Sequence, residues 1–212
     1  MKPAYRTVTR RGEGLHVVQR SKFLGVCVPV RDENEAARAI EAERKKHYEA
    51  RHHCYAFVLG QSLKRSSDDG EPSGTAGMPI LEVLLRQDVR DALIVVTRYF
   101  GGVLLGTGGL VRAYSAAAKL ALQDAGLADM HEAAEYRLEM DYAQYNRLPA
   151  LLREAGAAVL QEDFGAGVTV DVAVSAHGEE ALKKRFIEIT EGRGRLTRTG
   201  RGFRAFAHED GE

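Results

Sequence analysis

The chain has 212 residues, 44% hydrophobic and 28% charged, with 30 basic side chains against 30 acidic. A folded chain of this length buries roughly 70% of its unfolded surface and needs no disulfide or metal staple, and a net charge of zero argues against a histone-like coat on nucleic acid while leaving room for a local basic patch. Two cysteines, Cys27 and Cys54, make no disulfide framework, no apolar run reaches the length of about 18 residues that a membrane span needs, and residues 1–14 lack a signal peptide's apolar core, so a reduced, cytoplasmic protein without a membrane partner is expected.

Residues 5–10 and 15–30 read as strands, with Gly12 and Gly14 as the turn signals between them. Asp32 reads as a helix N-cap with Glu35 at the capping-box distance. The helix behind it is expected to run to about residue 49 on a thin stripe of Ala36, Ala37 and Ile40. Residues 53–59 form a strand, 60–78 a long loop rich in Ser, Asp and Gly, and Pro79 opens a short helix. The strand at 92–100 carries an uninterrupted Leu-Ile-Val-Val run, which places it centrally in a sheet. A five-glycine loop then leads into a helix over 109–125 that buries Leu110, Tyr114, Ala117, Ala118 and Ala121.

A boundary is expected near 126–134, giving domains 1–130 and 131–212. They carry 19 basic and 15 acidic, and 11 basic and 15 acidic, side chains. Beyond it, Tyr136, Leu138, Met140 and Tyr142 alternate with charged residues as a half-buried strand. Leu148, Leu151, Leu152 and Ala155 share a helical face that ends at Gly156. Strands at 157–164 and 168–174, a helix marked by Leu182, Phe186 and Ile189, and a closing strand or hairpin at 196–207 complete the order β-α-β-β-α-β, a ferredoxin-like split sandwich.

Two loops carry candidate chemistry. Residues 68–77 place Asp68, Asp69 and Glu71 beside Ser73, Thr75 and three glycines. Such a loop reads as a hard-cation or phosphate-plus-metal site, or as a solvated turn whose Asp residues cap backbone groups. The second runs from Arg98 and Tyr99 through the glycines to Arg112. It is neither a Walker loop nor a dinucleotide fingerprint. Arg98 and Arg112 either clamp an anion at a helix start or pair with Asp68, Asp69 or Glu71. His52, with Cys54 on the same strand face, falls short of the four ligands of a zinc site; Cys54 reads as a small buried hydrophobe and His52 as a hydrogen-bonding residue at a sheet end. No metal, cofactor or catalytic residue is assigned. A third signal is a basic run, Lys183, Lys184, Arg185, Arg193, Arg195, Arg198, Arg201 and Arg204, beside Phe203 and Phe206. It reads as an RNA-binding face or as a solvated helix and strand.

The words ARHHCYA at 50–56, DDGEPSGTAGMPIL at 68–81, VVTRYFGG at 95–102, LG at 105–106 and GGLVRAY at 108–114, with SKF at 21–23, resemble the IMPACT/YigZ family over residues 15–125. The second half matches only the character of that family's small C-terminal domain, which is similar to the C-terminal domain of elongation factor G. The resemblance implies a two-domain α+β protein whose first domain is a ribosomal-protein-like α+β sandwich. It also implies a translation-associated or nucleic-acid-binding role. Eukaryotic members restrain a translation-initiation-factor kinase through an additional N-terminal domain, a mechanism not carried over to this chain.

The leading expectation is therefore a regulator that binds RNA, the ribosome or a translation factor through Lys183, Lys184, Arg193, Arg195, Arg198, Arg201 and Arg204. The rival is an enzyme acting on a small phosphorylated or acidic ligand in a cleft between the two loops, with Asp68, Asp69 and Glu71 as metal ligands or acid/base groups and Arg98 and Arg112 holding the anion. The two loops are expected to meet in space, and Arg112 is expected to be paired with a carboxylate or an anion, because a cation at a helix start is electrostatically misplaced.

Overall fold

The computed structural model describes residues 3–205 and divides after Ala128 into two compact units. The first contains β1 (Tyr5–Val8), β2 (Gly12–Val18), β3 (Ser21–Pro29), α1 (Glu33–Lys46), β4 (His52–Leu59), β5 (Leu63–Ser67), α2 (Gly77–Arg86), β6 (Ala92–Tyr99) and α3 (Gly106–Ala125). Five strands pair antiparallel in the order β2-β3-β6-β4-β5. The Leu-Ile-Val-Val run lies in the central strand because both sheet faces are covered there. Ile94 and Val96 pack under α2 and α3 with Phe23, Cys54, Ile80, Leu84 and Tyr114. Leu93 and Val95 pack under α1 with Ala36, Ile40 and Phe57. Alternate residues of one strand thus serve two cores.

Several local expectations are corrected. The stretch 15–30, expected as one strand, is broken by a turn at Gln19 and Arg20, which take φ of 45° and 65° between the paired residues Val18 and Ser21. A two-residue hairpin loop of this hand matches the twist of its strands. Gly12 and Gly14 instead lie inside β2, because α3 crosses the sheet there. A Cβ at Gly12 would stand 2.1 Å from the backbone N of Ala125, and one at Gly25 of β3 would stand 2.5 Å from the carbonyl of Ala117. Ala117, Ala121 and Ala125 complete the same close approach from the helix side. Residues 63–67, expected within a loop, form the edge strand β5, whose exposed Lys64 and Arg65 hide its character. On α1, Asp32 accepts from the Glu35 N–H at 2.7 Å as expected, but the helix ends at Lys46 and its buried stripe is Ala36, Ile40 and Glu43, with Ala37 exposed.

The second unit is built from β7 (Leu127–Met140), α4 (Tyr142–Tyr145), α5 (Leu148–Glu154), β8 (Ala158–Phe164), β9 (Val168–Ser175), α6 (Glu179–Thr190) and β10 (Arg195–Ala205). The sheet order β10-β7-β9-β8, antiparallel throughout, is the ferredoxin-like arrangement. Tyr136, Leu138, Met140, Val170, Val172 and Val174 bury one face against Leu148, Leu151, Leu182 and Phe186. Tyr142 does not continue the strand. Asp141 and Gln144 form a capping box that turns the chain into α4, and Tyr142 is half exposed. Phe206 and Ala207 lie outside the described residues. No helix among the described residues is long and apolar enough to cross a membrane.

The close approach of α3 to β2 and β3 generates a stability prediction. Gly25→Val is expected to cost about 1–3 kcal/mol by overpacking, read as a lower urea midpoint. Gly165→Ala, where an added Cβ meets nothing within 4 Å, should stay within about 0.5 kcal/mol of the parent.

Candidate functional site: an arginine-walled cleft in the first unit

The site forms where β6 ends. Arg98 pairs in register with Phe23 of β3 and His52 of β4, so these three side chains share the α2/α3 face of the sheet. The guanidinium is almost wholly buried, its side chain 8% exposed, and Nη1 donates to Glu71 Oε1 at 2.7 Å. Tyr114 of α3 donates its hydroxyl to the same oxygen at 2.7 Å. The Arg98 guanidinium carbon also lies 5.5 Å from the ring centroids of both Phe23 and Phe100, a favourable placement of a cation over aromatic faces. One polar atom of this cluster is left over: Arg98 Nε is buried with no hydrogen-bond partner among the described residues.

The acidic loop is a structural clasp. The Asp68 carboxylate accepts from the backbone N–H groups of Gly74, Ala76 and Gly77 at 2.8, 3.0 and 2.8 Å. It thereby caps α2, whose own N-cap residue Ala76 has no side chain to do so. Burial by itself would raise the Asp68 carboxyl, but the three donors outweigh it and hold the group below its ordinary value. Asp69, at φ 40°, accepts from Arg44 Nη2 at 2.7 Å and from the His53 N–H at 2.7 Å. Its carbonyl accepts from His52 Nδ1 at 2.9 Å, and the Asp68 carbonyl accepts from the Cys54 thiol at 2.9 Å. Burial pushes that thiol up to about 12. His52 therefore holds the loop by hydrogen bonding, and Cys54, buried as a small hydrophobe, adds a thiol hydrogen bond that its hydrophobic reading did not include. Thr75 is buried with its hydroxyl on the Pro72 carbonyl at 2.7 Å, and Ser73 is exposed at the loop tip. The cation-binding reading of the loop is corrected: backbone N–H groups and Arg44 occupy Asp68 and Asp69, and Glu71 carries Arg98 and Tyr114.

The two loops meet in a cleft of about 700 Å³ lined by Glu49, Ala50, Arg51, His52, Glu71, Pro72, Arg98, Tyr99, Phe100, Leu104, Leu105, Gly106, Thr107 and Leu110. The glycine loop reaches it by crossing the β2–β3 hairpin. Gly101 donates its N–H to Ser21 Oγ at 3.0 Å, and a Cβ on Gly101 would lie 2.2 Å from the Arg20 carbonyl carbon. Gly106 then opens α3 at φ 68°, where Leu105 offers no side-chain cap. The Tyr99 hydroxyl makes a 3.0 Å hydrogen bond with His47 Nδ1. Arg112 departs from expectation. It is exposed, has no hydrogen-bond or ion-pair partner among the described residues, and is not in the cleft wall. It lies exposed on α3, one turn past Gly108, and the carboxylate clasp is not formed. Sequence reasoning passed over Phe100, 58% exposed, and took Tyr114 only as core. Their signal was position: Phe100 follows Arg98 by two at a strand end, and Tyr114 carries a polar tip on a buried helical face.

The basic run of the second unit is largely neutralised. Lys183 pairs with Glu179 and Glu180, Arg185 with Glu154 and Glu188, Arg193 with Glu191, Arg195 with Glu139, and Arg204 with Glu135. Only Lys184, Arg198 and Arg201 remain without an ion pair among the described residues. Arg137 is likewise bound to Asp171, so the open sheet face is a lattice of alternating charge.

Three outcomes follow from this geometry. Glu71→Ala is expected to destabilise by about 3–5 kcal/mol, because it strands a buried guanidinium. Arg112→Met should leave stability within about 0.5 kcal/mol of the parent, as an exposed unpaired residue; thermal or urea unfolding reads both. The Asp68 carboxyl is depressed in the folded state, so its contribution is complete above the unfolded-chain value of about 3.9 and is lost as pH falls through the lower folded value. Urea midpoints measured between pH 6 and 2 should therefore converge for the parent and Asp68→Asn in acid, with the parent more stable near neutrality.

With this geometry in hand, comparison with known proteins is informative. Residues 19–122 match the model of the Impact N-terminal domain, and residues 138–193 match a domain of unknown function, DUF1949. The chain is 34% identical over 192 residues to the IMPACT family member YvyE of Bacillus subtilis (strain 168), covering 90% of this chain and 88% of that one. It is 36% identical over 180 residues to the IMPACT family member YigZ of Escherichia coli (strain K12), covering 82% and 88%. A solved structure, titled as that of a hypothetical protein, superposes with a TM-score of 0.62 at 30% identity, covering 99% of this chain and 100% of that one. A cleft walled by Glu71 and Pro72 and by Arg98, Tyr99 and Phe100, on a chain related over most of its length to these proteins, places it plainly: this chain is a two-domain α+β member of the IMPACT family.

Proposed function

We infer that the protein is a cytoplasmic, translation-associated regulator that binds single-stranded RNA, and that the first unit carries the contact. The observation that supports this most is the exposed ring of Phe100 at the mouth of the cleft, 5.5 Å from the Arg98 guanidinium. An exposed aromatic face beside uncompensated cations is the pattern that stacks bases and tracks a phosphate backbone. Arg20 and Lys22 share a cavity wall with Phe100, Arg51 lies in the cleft wall, and all three are exposed without an ion pair among the described residues. The expectation that the basic run of the second unit leads the contact is revised, since carboxylates hold five of its eight cations. An enzymatic reading needs Asp68 and Asp69 as acid, base or metal ligands, and both are committed to the loop itself.

Binding of a fluorescent single-stranded 20-mer RNA over a salt series tests this reading. Affinity should fall steeply with salt, as counterions are released. Phe100→Ala should cost about 1–3 kcal/mol of binding through lost stacking. Arg20→Ala with Lys22→Ala should flatten the logarithmic salt slope by about 0.7 for each lost phosphate contact, and Lys184, Arg198 and Arg201 to Ala should change it less. Binding that none of the first-unit substitutions alters would overturn the assignment.

A further inference from the structure

The sheet of the first unit is covered unequally on its two faces. On one face α3 packs over β2 and β3, and α2 over β4 and β5. On the other, α1 packs over β4 and β6, and the outer half of the sheet stays open. Register puts Leu15 opposite Leu24 and Val17 opposite Lys22 on this open half, because the alternate residues Gly14, Gly25 and Phe23 face α3. Leu15 and Val17 are each 54% exposed, and Leu24 is half-buried. Residues 23–28 nevertheless read FLGVCV, the nearly unbroken apolar run of a strand covered on both faces. Two adjoining hollows of about 320 and 440 Å³ mark the strip, and they share Leu15, Leu24 and His47. Strands lie about 4.8 Å apart, so a strip two strands wide matches the roughly 10 Å diameter of one helix.

The border of the strip selects the charge of what covers it. Arg20, Lys22 and Lys46 line the hollows against a single carboxylate, Glu13. Glu13 is already met by Arg11 at 3.1 Å, and Lys46 approaches it only to 3.8 Å. Arg20 and Lys22 are exposed and have no ion pair among the described residues. A contiguous apolar patch with a charged rim marks an interaction site, and this rim is complementary to acidic side chains. The floor favours a protein over a nucleic acid, because Leu15, Val17 and Leu24 offer no ring face on which a base could stack. A second copy of the chain docking face to face would bring the same cations with it.

We propose that the open half of this face, over β2 and β3, is the docking site of an acidic amphipathic helix from a partner protein. The apolar stripe of the helix lies on Leu15, Val17 and Leu24, and its flanking carboxylates meet Arg20, Lys22 and Lys46. The site shares Arg20 and Lys22 with the RNA surface but does not rest on the RNA reading, since its floor lies away from Phe100 on β2 and β3.

The test is a selection of displayed helical peptides of about four turns, randomised in sequence, on the full chain. Selected sequences should carry Leu, Ile or Met at i, i+3, i+4 and i+7 with Asp or Glu on both flanks. A selected peptide, made synthetically, should shift the methyl resonances of Leu15, Val17 and Leu24 saturably. Leu15→Lys and Val17→Lys should each weaken it at least about tenfold, as the loss of an apolar anchor does, with the melting temperature nearly unchanged. Lys22→Glu keeps the apolar floor. It should weaken the peptide several-fold and strengthen a twin peptide with Lys in place of its acids, a reversal that misfolding does not produce. A selection that returns no helical binder, or binders indifferent to Leu15 and Val17, overturns the proposal. A chain that sediments as a dimer and becomes a monomer on Leu15→Lys assigns the face to a second copy and overturns it as well. If no peptide binds but the RNA 20-mer is lost on Leu15→Lys with Val17→Lys, the face belongs to RNA; the helix site falls and the RNA reading stands. Peptide binding as described, with no binding of the 20-mer, leaves the helix site standing and ends the RNA reading.

Discussion

The buried contact of Glu71 with Arg98 and Tyr114 is the constraint on which the first unit depends. It joins three segments far apart in the chain: the end of the central strand, the acidic loop and the long helix. A buried guanidinium is tolerable only when its charge is met and its hydrogen bonds are used. Glu71 supplies the charge, and Phe23 and Phe100 offer ring faces. Once Glu71 is fixed, the loop behind it has little freedom, because Asp68 caps α2 and Asp69 is held by Arg44 and the His53 N–H. Each carboxylate of the loop thus has a different task, set by which donors lie nearest. The cleft is what remains between this clasp and the crossing glycine loop.

The glycines follow the same logic of close approach. Gly12, Gly14 and Gly25 let α3 settle on β2 and β3 with backbone nearly touching backbone, and Gly101 lets the connection pass over the β2–β3 hairpin. None of these contacts is a turn. The alanine face of α3 meets the glycines of the sheet, so an arrangement of small residues fixes how far the helix can descend. Gly106 and Thr107 at the start of α3 line the same cleft as Arg98 of β6.

Electrostatics divides the two units differently from their formal charges. The second unit carries the most conspicuous basic run, yet each helix or strand that bears it faces acidic neighbours at i+3, i+4 or cross-strand distance. Exposed ion pairs of this kind contribute little to stability, but they do remove charge from the surface a polyanion would meet. The first unit has fewer clustered cations in sequence, yet Arg20 and Lys22 of the β2–β3 hairpin and Arg51 just before β4 stand without an ion pair among the described residues.

Much of this was written in the sequence. The central strand, the buried stripe of α3, the alternating strands and the β-α-β-β-α-β order of the second half all arise from periodicity, which a chain carries locally. The long words around Asp68 and Arg98 marked the site and the family. The errors had local causes: Gly12 and Gly14 look like a turn because a glycine's sequence signal is the same whether it frees φ or makes room for a helix. Gln19 and Arg20 form the turn with no turn-like chemistry. Tyr142 fits the strand period by accident of spacing, and Asp141 ends the strand one residue earlier by capping. What only the tertiary structure decided is pairing. Sequence placed Asp68, Asp69, Glu71, Arg98 and Arg112 near one another as charges, but which acid meets which base depends on the direction each side chain leaves its strand or helix. Arg98 faces inward and meets Glu71; Arg112 is exposed with no side-chain partner among the described residues; and Arg195 and Arg204 meet Glu139 and Glu135 because the sheet lays β10 beside β7. Such partners are chosen by the folded geometry, where a Coulomb interaction falls off over a few ångströms, and not by their separation along the chain.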